Sequence, residues 1–226
     1  MTALIETKNL HKEFVLDGGG RLEAISDASI AINDKEFVCL LGPSGCGKST
    51  WLRIVAGLES ATAGEVLYKG APVTGPGKER GMVFQEYSLL PWRTVADNVS
   101  LGPEFAGMDA KSRRDIAMDY LARVGLEKFA DAKPHELSGG MRQRAAIARA
   151  LANNPEVLLM DEPFGALDAH TRVLLQRELL RIWEQDRKTV VFVTHSVDEA
   201  LYLADRIVVM TAHPGRVLEE IDVPFE

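Results

Sequence analysis

The chain has 226 residues, of which 46% are hydrophobic and 26% charged, a composition typical of a globular protein with one large α/β domain or a core and a subdomain. Its formal net charge of -7 gives no general electrostatic reason to bind nucleic acid, and 2 cysteines are too few for a disulfide framework. The sequence holds no run of about eighteen apolar residues, so we expect a cytosolic protein with no segment that spans a membrane by itself.

The first part of the chain is predicted to alternate between strands and turns. Ala28, Ile30 and Ile32 alternate with small or polar residues, as the residues of a half-buried strand do. The apolar run at 37–41 predicts a buried strand, and a helix is predicted over 51–56. Further strands are predicted in this part at 4–14, 22–32, 64–70 and 81–85.

A glycine-rich turn joins the strand at 37–41 to the helix that follows it. Glycines let such a turn wrap closely round a phosphate, its backbone N–H groups form an anion nest, and the helix N-terminus adds a positive dipole end. Lys48 is expected to reach the β- and γ-phosphates, and the Ser49 hydroxyl to ligate Mg²⁺. The plainer alternative is a glycine-rich loop with a surface lysine, which the strand–turn–helix context disfavours. The predicted phosphate-binding residues are Gly42, Pro43, Ser44, Gly45, Cys46, Gly47, Lys48, Ser49 and Thr50.

One of the two cysteines falls inside this loop. Because Cys46 lies between two of its glycines, we expect the thiol to sit beside the phosphates, within reach of a thiol reagent. Alkylation is therefore expected to block phosphate binding.

The character of the sequence changes at about residue 86. From there to about 154 the patterns predict helices and no strand, with Asp109 as one helix cap and Ser138 near the start of another helix. After that, strands are predicted again at 157–160, 189–194 and 206–210, with helices around 175–182 and 197–204. We therefore expect a helical subdomain at 87–154, inserted into an α/β core formed by 1–86 and 155–226, within a single domain of 1–226.

Two adjacent carboxylates follow the apolar strand at 157–160. Carboxyl ends of parallel strands are where ligands bind in open α/β sheets, so Asp161 is expected to hold Mg²⁺ through water and Glu162 to polarise an attacking water. The alternative is a turn acid next to a helix-capping acid. That alternative explains one carboxylate well, but not an adjacent pair behind a phosphate-binding loop.

A second glycine pair opens the helix near Ser138. Ser138 is a good N-cap, and Gly139 and Gly140 leave backbone N–H groups bare, so this helix end is suited to phosphate. The chain resembles the ATPase subunits of ATP-binding cassette transporters. Four features carry this resemblance: the phosphate-binding loop, the run at 137–143, the strand and acids at 157–163, and His195. The resemblance runs over essentially the whole chain, and the run at 137–143 is its most specific part.

This resemblance implies a fold and several roles. The fold is a P-loop NTPase (RecA-like) core with an antiparallel β-subdomain and an inserted α-helical subdomain. Gln85 matches a glutamine that contacts Mg²⁺ and water, Asp168 lies in the segment called the D-loop, and His195 matches a histidine on the γ-phosphate. Phe14 matches an aromatic that stacks on adenine, with core packing as the alternative, and Met141 stands where the commonest motif has glutamine.

The catalytic set implied is Glu162, His195, Gln85 and Lys48, with Ser49, Gln85 and Asp161 as ligands of Mg²⁺. ATP is expected to lie between the phosphate-binding loop of one chain and Ser138, Gly139 and Gly140 of a second copy in a head-to-tail dimer. Without the resemblance, His195 reads as an ordinary histidine at a strand end.

Runs at 89–92, 134–141 and 211–216 further resemble importers of nitrate, sulfonate, taurine and related small anions. The resemblance implies two transmembrane permease subunits, a periplasmic or lipid-anchored solute-binding protein, and a place on the cytoplasmic face of the inner membrane. Tyr87 and Trp92 are predicted to contribute to a groove where the permease docks. The alternative is a soluble ATP-driven clamp or scaffold that acts on nucleic acid or ribosomes. The presence of a single cassette and the negative net charge of the chain both disfavour it.

Overall fold

Strands Phe37–Leu41, Val157–Asp161 and Thr189–Thr194 form the centre of a six-stranded sheet. The structure is a computed structural model that describes residues 3–224. Its strands in chain order are β1 (Ile5–Val15), β2 (Arg21–Ile32), β3 (Phe37–Leu41), β4 (Ala63–Tyr68), β5 (Ala71–Pro72), β6 (Arg80–Val83), β7 (Val157–Asp161), β8 (Thr189–Thr194), β9 (Arg206–Met210) and β10 (Val217–Asp222).

The larger sheet has the order β10-β9-β3-β8-β7-β6, and all of its neighbours are parallel except β10 with β9. Its central strands are almost wholly apolar because both faces are covered. The carboxyl ends of β3, β6, β7 and β8 therefore meet at one edge, which brings together residues that follow these strands in the sequence.

The smaller sheet has the order β2-β1-β4-β5 and is antiparallel throughout. Its long strands β1 and β2 pair from Ile5 with Ile32 to Val15 with Arg21. This pairing places Phe14 opposite Leu22, next to the turn of the hairpin.

The helices in chain order are α1 (Lys48–Val55), α2 (Val95–Val99), α3 (Leu101–Phe105), α4 (Ala110–Arg123), α5 (Gly139–Ala152), α6 (Ala169–Asp186) and α7 (Val197–Leu203). Between β6 and β7 the described chain contains helices alone, two of them single turns of 3₁₀-helix at Glu127–Phe129 and Pro134–Glu136. Asp109 caps α4 by accepting hydrogen bonds from the N–H groups of Lys111 and Ser112 at 3.0 Å each. Within the described residues, no helix combines the length and the apolar character that crossing a membrane requires.

Alternate residues of the central strands enter two different hydrophobic clusters, as the two-residue period of a strand requires. Cys39, Met160 and Phe192 face the cluster that includes α2, α4, α5, α6 and α7. The intervening residues of the same strands face a second cluster with Trp51 of α1 and the inner face of the antiparallel sheet. The six-stranded sheet is thus sandwiched between a helical layer and a layer made of α1 and the smaller sheet.

The predicted fold class is confirmed in its main features, whereas several element bounds differ. The strand predicted at 81–85 ends at Val83, so Gln85 lies beyond it in irregular structure. The helix predicted over 51–56 begins at Lys48, and the helix around 175–182 extends over Ala169–Asp186. Strand β10 and helices α2 and α3 were not predicted.

Candidate active site

The turn after β3 adopts a conformation that demands glycine at three positions. Gly45 and Gly47 have φ angles of 78° and 91°, in the left-handed region. A Cβ atom on Gly47 would lie 2.7 Å from the carbonyl oxygen of Ala24, and one on Gly42 would lie 2.6 Å from that of Met210. The loop is therefore held tightly between β2 and the end of β9, and its shape does not depend on flexible side chains.

Lys48 opens α1 and folds back over this turn. Its ammonium donates hydrogen bonds to the carbonyl oxygens of Gly42 at 2.7 Å and Pro43 at 2.9 Å, and its side chain is only 3% exposed. It also lies 3.8 Å from Oε1 of Glu162. A buried cation with one carboxylate nearby and two neutral acceptors is well placed to bind an anion that enters the loop.

Ser49 and Asp161 join the loop to the end of β7. The Ser49 hydroxyl donates to Oδ1 of Asp161 at 2.6 Å, and Arg53, one helical turn after Ser49, lies 3.9 Å from Oδ2. Burial raises the pKa of Asp161 above its ordinary value, and the hydrogen bond from Ser49 only partly opposes this. The hydrogen bond and the nearby cation thus offset only part of the free-energy cost of burying the Asp161 charge.

Glu162 adopts an unusual backbone conformation with φ at 41°. Its N–H donates to the carbonyl oxygen of Val193 at 3.1 Å, which fixes it against the end of the neighbouring strand β8. Its Oε2 lies 3.3 Å from Nδ1 of His195, whose side chain is half-exposed. The structure therefore brings Glu162 and His195 into contact although the expectation for each came from a separate motif.

A cavity of about 360 Å³ collects most of the predicted residues. Phe14 of β1 and Gln85, which follows β6, line it together with Glu162 and the loop from Ser44 to Thr50. Leu22 and Ala24 of β2 also line it and were missed by the sequence reasoning, although the pairing of Leu22 with Phe14 in a hairpin would have indicated the first. A larger cavity of about 620 Å³ shares no lining residue with this one and contains none of the predicted residues.

Phe14 is half-buried and combines features of both interpretations made from the sequence. The ammonium of Lys12 lies 4.7 Å from the centre of its ring, and Lys12 is itself paired with Glu59 at 2.7 Å. Phe14 also lines the cavity beside Leu22. An aromatic ring is thus available at the cavity wall, backed by a cation.

The expectation of an accessible Cys46 thiol is wrong. Cys46 is fully buried, and its sulfur lies 3.7 Å from Nζ of Lys48, beneath the loop. It is also 2.8 Å from the position that a Cβ on Gly42 would take. The loop turns this side chain inward, so the residue lines the cavity without offering a thiol to it.

Ser138, Gly139 and Gly140 lie apart from this cavity. Ser138 caps α5 by accepting a hydrogen bond from the N–H of Met141 at 3.3 Å, and its exposed side chain borders a second cavity of about 550 Å³. A Cβ on Gly140 would lie 2.7 Å from Cγ2 of Thr171, so glycine permits α5 and α6 to approach. The two cavities have no lining residue in common, so Ser138 and Gly140 line a different cavity from the phosphate-binding loop of the same chain.

Asp168 lines neither cavity. It is the N-cap of α6, where its carboxylate accepts from the Thr171 N–H at 3.0 Å and the Thr171 hydroxyl at 2.7 Å. The backbone hydrogen bond from Thr171 is the main reason that the pKa of Asp168 lies below its ordinary value. Within the chain, Asp168 therefore acts as a helix cap.

The oxygen atoms around Ser49 suit a small hard cation. Asp161 provides a carboxylate with a raised pKa beside the Ser49 hydroxyl. Ser49 and Gln85, which carries an amide, both line the cavity of about 360 Å³. Among residues 3–224 no group of three or more His, Cys, Asp and Glu side chains forms a closed metal cage. Mg²⁺ is usually held by one or two carboxylates together with substrate phosphates, so these residues fit it.

Comparisons with known proteins agree with this geometry. A family model described as ABC transporter matches residues 25–165. An uncharacterized ABC transporter ATP-binding protein of Methanocaldococcus jannaschii is 54% identical over 226 residues, which cover 100% of this chain and 84% of that protein.

Two further relatives have more specific names. The taurine import ATP-binding protein TauB of Rhizobium johnstonii is 50% identical over 92% of this chain and 79% of its own length. The nitrate import ATP-binding protein NrtD of Synechococcus elongatus is 48% identical over 92% of this chain and 77% of its own length.

A solved structure shares the fold. It is a dimeric ATP-binding cassette in a post-hydrolysis state bound to ADP and Pi, with a TM-score of 0.87, 36% identity, and coverage of 98% of this chain and 100% of that one. The loop geometry, the family match and identities that extend over nearly the whole length lead to one conclusion: the chain belongs to the ABC transporter family, as one of its ATP-binding, ATP-hydrolysing subunits.

Proposed function

We propose that Lys48, Ser49, Asp161, Glu162 and His195 hydrolyse ATP at the cavity beside the phosphate-binding loop. The observation that carries the proposal is their convergence from three elements, with Lys48, Ser49 and His195 each within 4 Å of one of the two acids. Phosphoryl transfer depends mainly on positioning and on neutralising charge, which this set of residues supplies.

Each residue has a separate part in the proposed reaction. Water attacks the γ-phosphorus, the bond to the β-phosphate oxygen breaks, and ADP and phosphate leave. Glu162 orients this water and accepts its proton, while His195 holds Glu162 and the γ-phosphate in register. Lys48 exchanges its contacts with the Gly42 and Pro43 carbonyl oxygens for phosphate oxygens, and Gln85, which also lines the cavity, contacts the same water.

Mg²⁺ is proposed to be held by Ser49, by Asp161 through water, and by Gln85. When bound, it neutralises charge on the β- and γ-phosphates. Phe14 is proposed to stack on the adenine. Its ring lies beside Leu22, and the ammonium of Lys12 is 4.7 Å from the ring centre. Backbone N–H groups of the loop from Gly42 to Thr50 bind the phosphates.

A second copy of the chain is proposed to complete each site. Ser138 and Gly140 line a different cavity from the loop, which supports a site in which they reach a nucleotide held by another chain. A head-to-tail dimer supplies them twice and sandwiches two ATP molecules, with Asp168 near the junction. The similar solved structure is described as dimeric, which supports this arrangement.

The ATPase is proposed to lie on the cytoplasmic face of the inner membrane. There it drives import of a small anion of the taurine, sulfonate or nitrate kind. The names of two relatives support this class of solute. Two permease subunits and a periplasmic or lipid-anchored solute-binding protein complete the transporter. The helical segment 87–154 is proposed to act as a subdomain that receives the permease, since Trp92 at its start is 70% exposed.

Reconstitution tests the proposal. The chain is co-purified with the permease subunits encoded by neighbouring genes, placed in liposomes with the solute-binding protein, and assayed for ATP hydrolysis with taurine, other sulfonates and nitrate. We expect one of these anions to stimulate hydrolysis and to accumulate inside. Hydrolysis stimulated by nucleic acid or ribosomes, with no copurifying permease, would favour the clamp or scaffold instead.

A further inference from the structure

Glu199 is a buried carboxylate that none of the steps proposed above uses. It lies in α7 with its side chain 9% exposed, and its two oxygens are bound by different elements. Oε2 accepts a hydrogen bond from the Thr194 hydroxyl at 2.5 Å, and Oε1 accepts one from Nε2 of Gln176 at 3.2 Å. A charge in the interior is unfavourable unless it is paired and hydrogen-bonded, so its partners decide what it does for the structure.

One set of contacts fixes the chain on both sides of His195. Thr194, which precedes it, is the last residue of β8, and the hydroxyl oxygen of Thr194 accepts a hydrogen bond from the N–H of Ser196 at 3.0 Å. Ser196 in turn caps α7 by accepting from the N–H of Glu199 at 3.3 Å. The histidine therefore lies between two residues that are tied to Glu199 and to each other.

The other set of contacts leads to the start of α6. Arg172 donates from one terminal nitrogen to the carbonyl oxygen of Leu167 at 3.1 Å, directly before Asp168. Its Nε is buried without a hydrogen-bond partner and lies 3.7 Å from Oε1 of Glu199. A shift of about 0.5 Å would bring this pair within hydrogen-bond distance, and Oε1 would then accept from both Arg172 and Gln176.

We infer that Glu199 is a positioning residue for His195, which it links through Arg172 to the backbone of Leu167 and Asp168. The inference rests on the proposed role of His195 in hydrolysis. Glu199 itself touches no reacting atom: it fixes Thr194 and Ser196, and these set where His195 stands against Glu162. A movement of the segment that carries Asp168 changes the distance between Arg172 and Glu199. Through Glu199, such a movement changes the position of His195.

The test uses the full chain with ATP and Mg²⁺ and compares variants of nearly constant shape. Glu199→Gln removes the charge, Thr194→Val removes the hydroxyl that Glu199 accepts from, and Thr194→Ser retains it. Asp198→Asn is the matched control, because Asp198 is exposed, precedes Glu199 in α7 and loses the same charge. Steady-state kcat and KM are measured, and the titration of the His195 ring is followed by NMR after assignment with His195→Ala.

We expect Glu199→Gln and Thr194→Val to lower kcat about tenfold, equivalent to about 1.4 kcal/mol, with KM for ATP changed less than about twofold. We also expect the His195 titration midpoint to move in both variants, and Thr194→Ser and Asp198→Asn to behave like the wild type. If Glu199→Gln fails to fold, the Thr194 pair decides the question on its own.

An equal loss in Asp198→Asn or Thr194→Ser, or a wild-type kcat with an unmoved His195 titration in Thr194→Val, would overturn the inference. The proposed role of His195 fails separately, if His195→Ala itself hydrolyses ATP at the wild-type rate.

Discussion

His195 Nδ1 lies 3.3 Å from Oε2 of Glu162. Because a carboxylate only accepts hydrogen bonds, Nδ1 is the donor in this contact. The Glu162 side chain is mostly buried, whereas His195 is half-exposed. The histidine can therefore orient the acid on one side and meet a ligand from solvent on the other.

The first prediction concerns Glu162. Replacing it with glutamine preserves its shape and its contact with His195 but removes the group that accepts a proton from water. We expect kcat to fall by about 10²–10⁴, as for loss of a general base, while ATP still binds. We also expect ATP to trap a dimer, measured by size-exclusion chromatography with MgATP. The exposed Glu219→Gln serves as the control, and turnover of Glu162→Gln at the wild-type rate would remove Glu162 from catalysis.

The second prediction follows from the raised pKa of Asp161. The pKa of Asp161 is higher in the native state than in the unfolded chain, where it is about 3.9. Between these two pKa values the native state binds more protons than the unfolded state. The free energy of unfolding therefore falls as pH rises from the unfolded pKa through the folded pKa. Asp161→Asn removes this penalty, and we expect it to unfold at a higher temperature than wild type at neutral pH, with about 2–4 °C in Tm for each kcal/mol. The difference should vanish below about pH 3.9, where wild-type Asp161 is also neutral.

Thermal unfolding at neutral and acid pH measures this effect without nucleotide. The same variant is expected to lose Mg²⁺-dependent hydrolysis, which separates stability from function. A lower Tm than wild type at neutral pH would show that the hydrogen bond from Ser49 and the charge of Arg53 outweigh the cost of burial.

The third prediction replaces the earlier expectation for Cys46. Cys46 and Cys39 are both fully buried, and burial is the main reason that the pKa of the Cys39 thiol is raised. We expect neither thiol to react quickly with a chromogenic disulfide in the native chain, and both to react in guanidinium. Cys46→Ser should hydrolyse ATP normally. A thiol that reacts in native protein as fast as a free one would contradict the buried placement.

The fourth prediction separates two aromatic residues that the sequence grouped together. Trp92 is 70% exposed, whereas the ring of Tyr87 lies 5.3 Å from the guanidinium of Arg142 and its hydroxyl is 3.3 Å from the position of a Cβ on Gly139. We expect Trp92→Ser to keep Tm and basal hydrolysis but to lose assembly with the permease. Tyr87→Ser should instead disturb the start of α5 and lower basal hydrolysis.

Co-purification with the permease measures the assembly of both variants. Leu218→Ser, an equally apolar and exposed change on β10, is the control and should assemble normally. Normal assembly of Trp92→Ser would rule out its part in docking, and a lowered Tm would show that the Trp92 side chain contributes to the stability of the fold despite its exposure.

Short-range patterns were predicted well because they fix local geometry by themselves. The glycine spacing imposes the loop from Gly42 to Gly47, and β8 and β9 have the predicted bounds because their apolar runs end at polar residues. Strand β10 was missed since its sequence is charged and it lies exposed at a sheet edge. The start of α6 was missed because Asp168 was interpreted by its motif rather than as a helix cap.

Relationships between distant residues required the structure. Glu162 and His195 meet because β7 and β8 pair in parallel with Asp161 opposite Val193, a register that the sequence does not reveal. The loop that carries Cys46 lies against two other strands, with Met210 beside Gly42 and Ala24 beside Gly47, and no local motif reveals these contacts. The separation of Ser138 from the loop likewise depends on how α5 packs, which no motif specifies.

The composite dimer is the central claim, and mixing two inactive chains tests it most directly. Lys48→Ala lacks the loop lysine, and Ser138→Arg blocks the serine that the partner is proposed to supply. Each is expected to be inactive alone, but a mixed dimer has one site with both residues intact. Random pairing at equal amounts should restore about one quarter of the wild-type rate, because half of the dimers are mixed and each has one intact site of two. If the mixture stays as inactive as its components, Ser138 does not act on the nucleotide of the other chain and the account is contradicted.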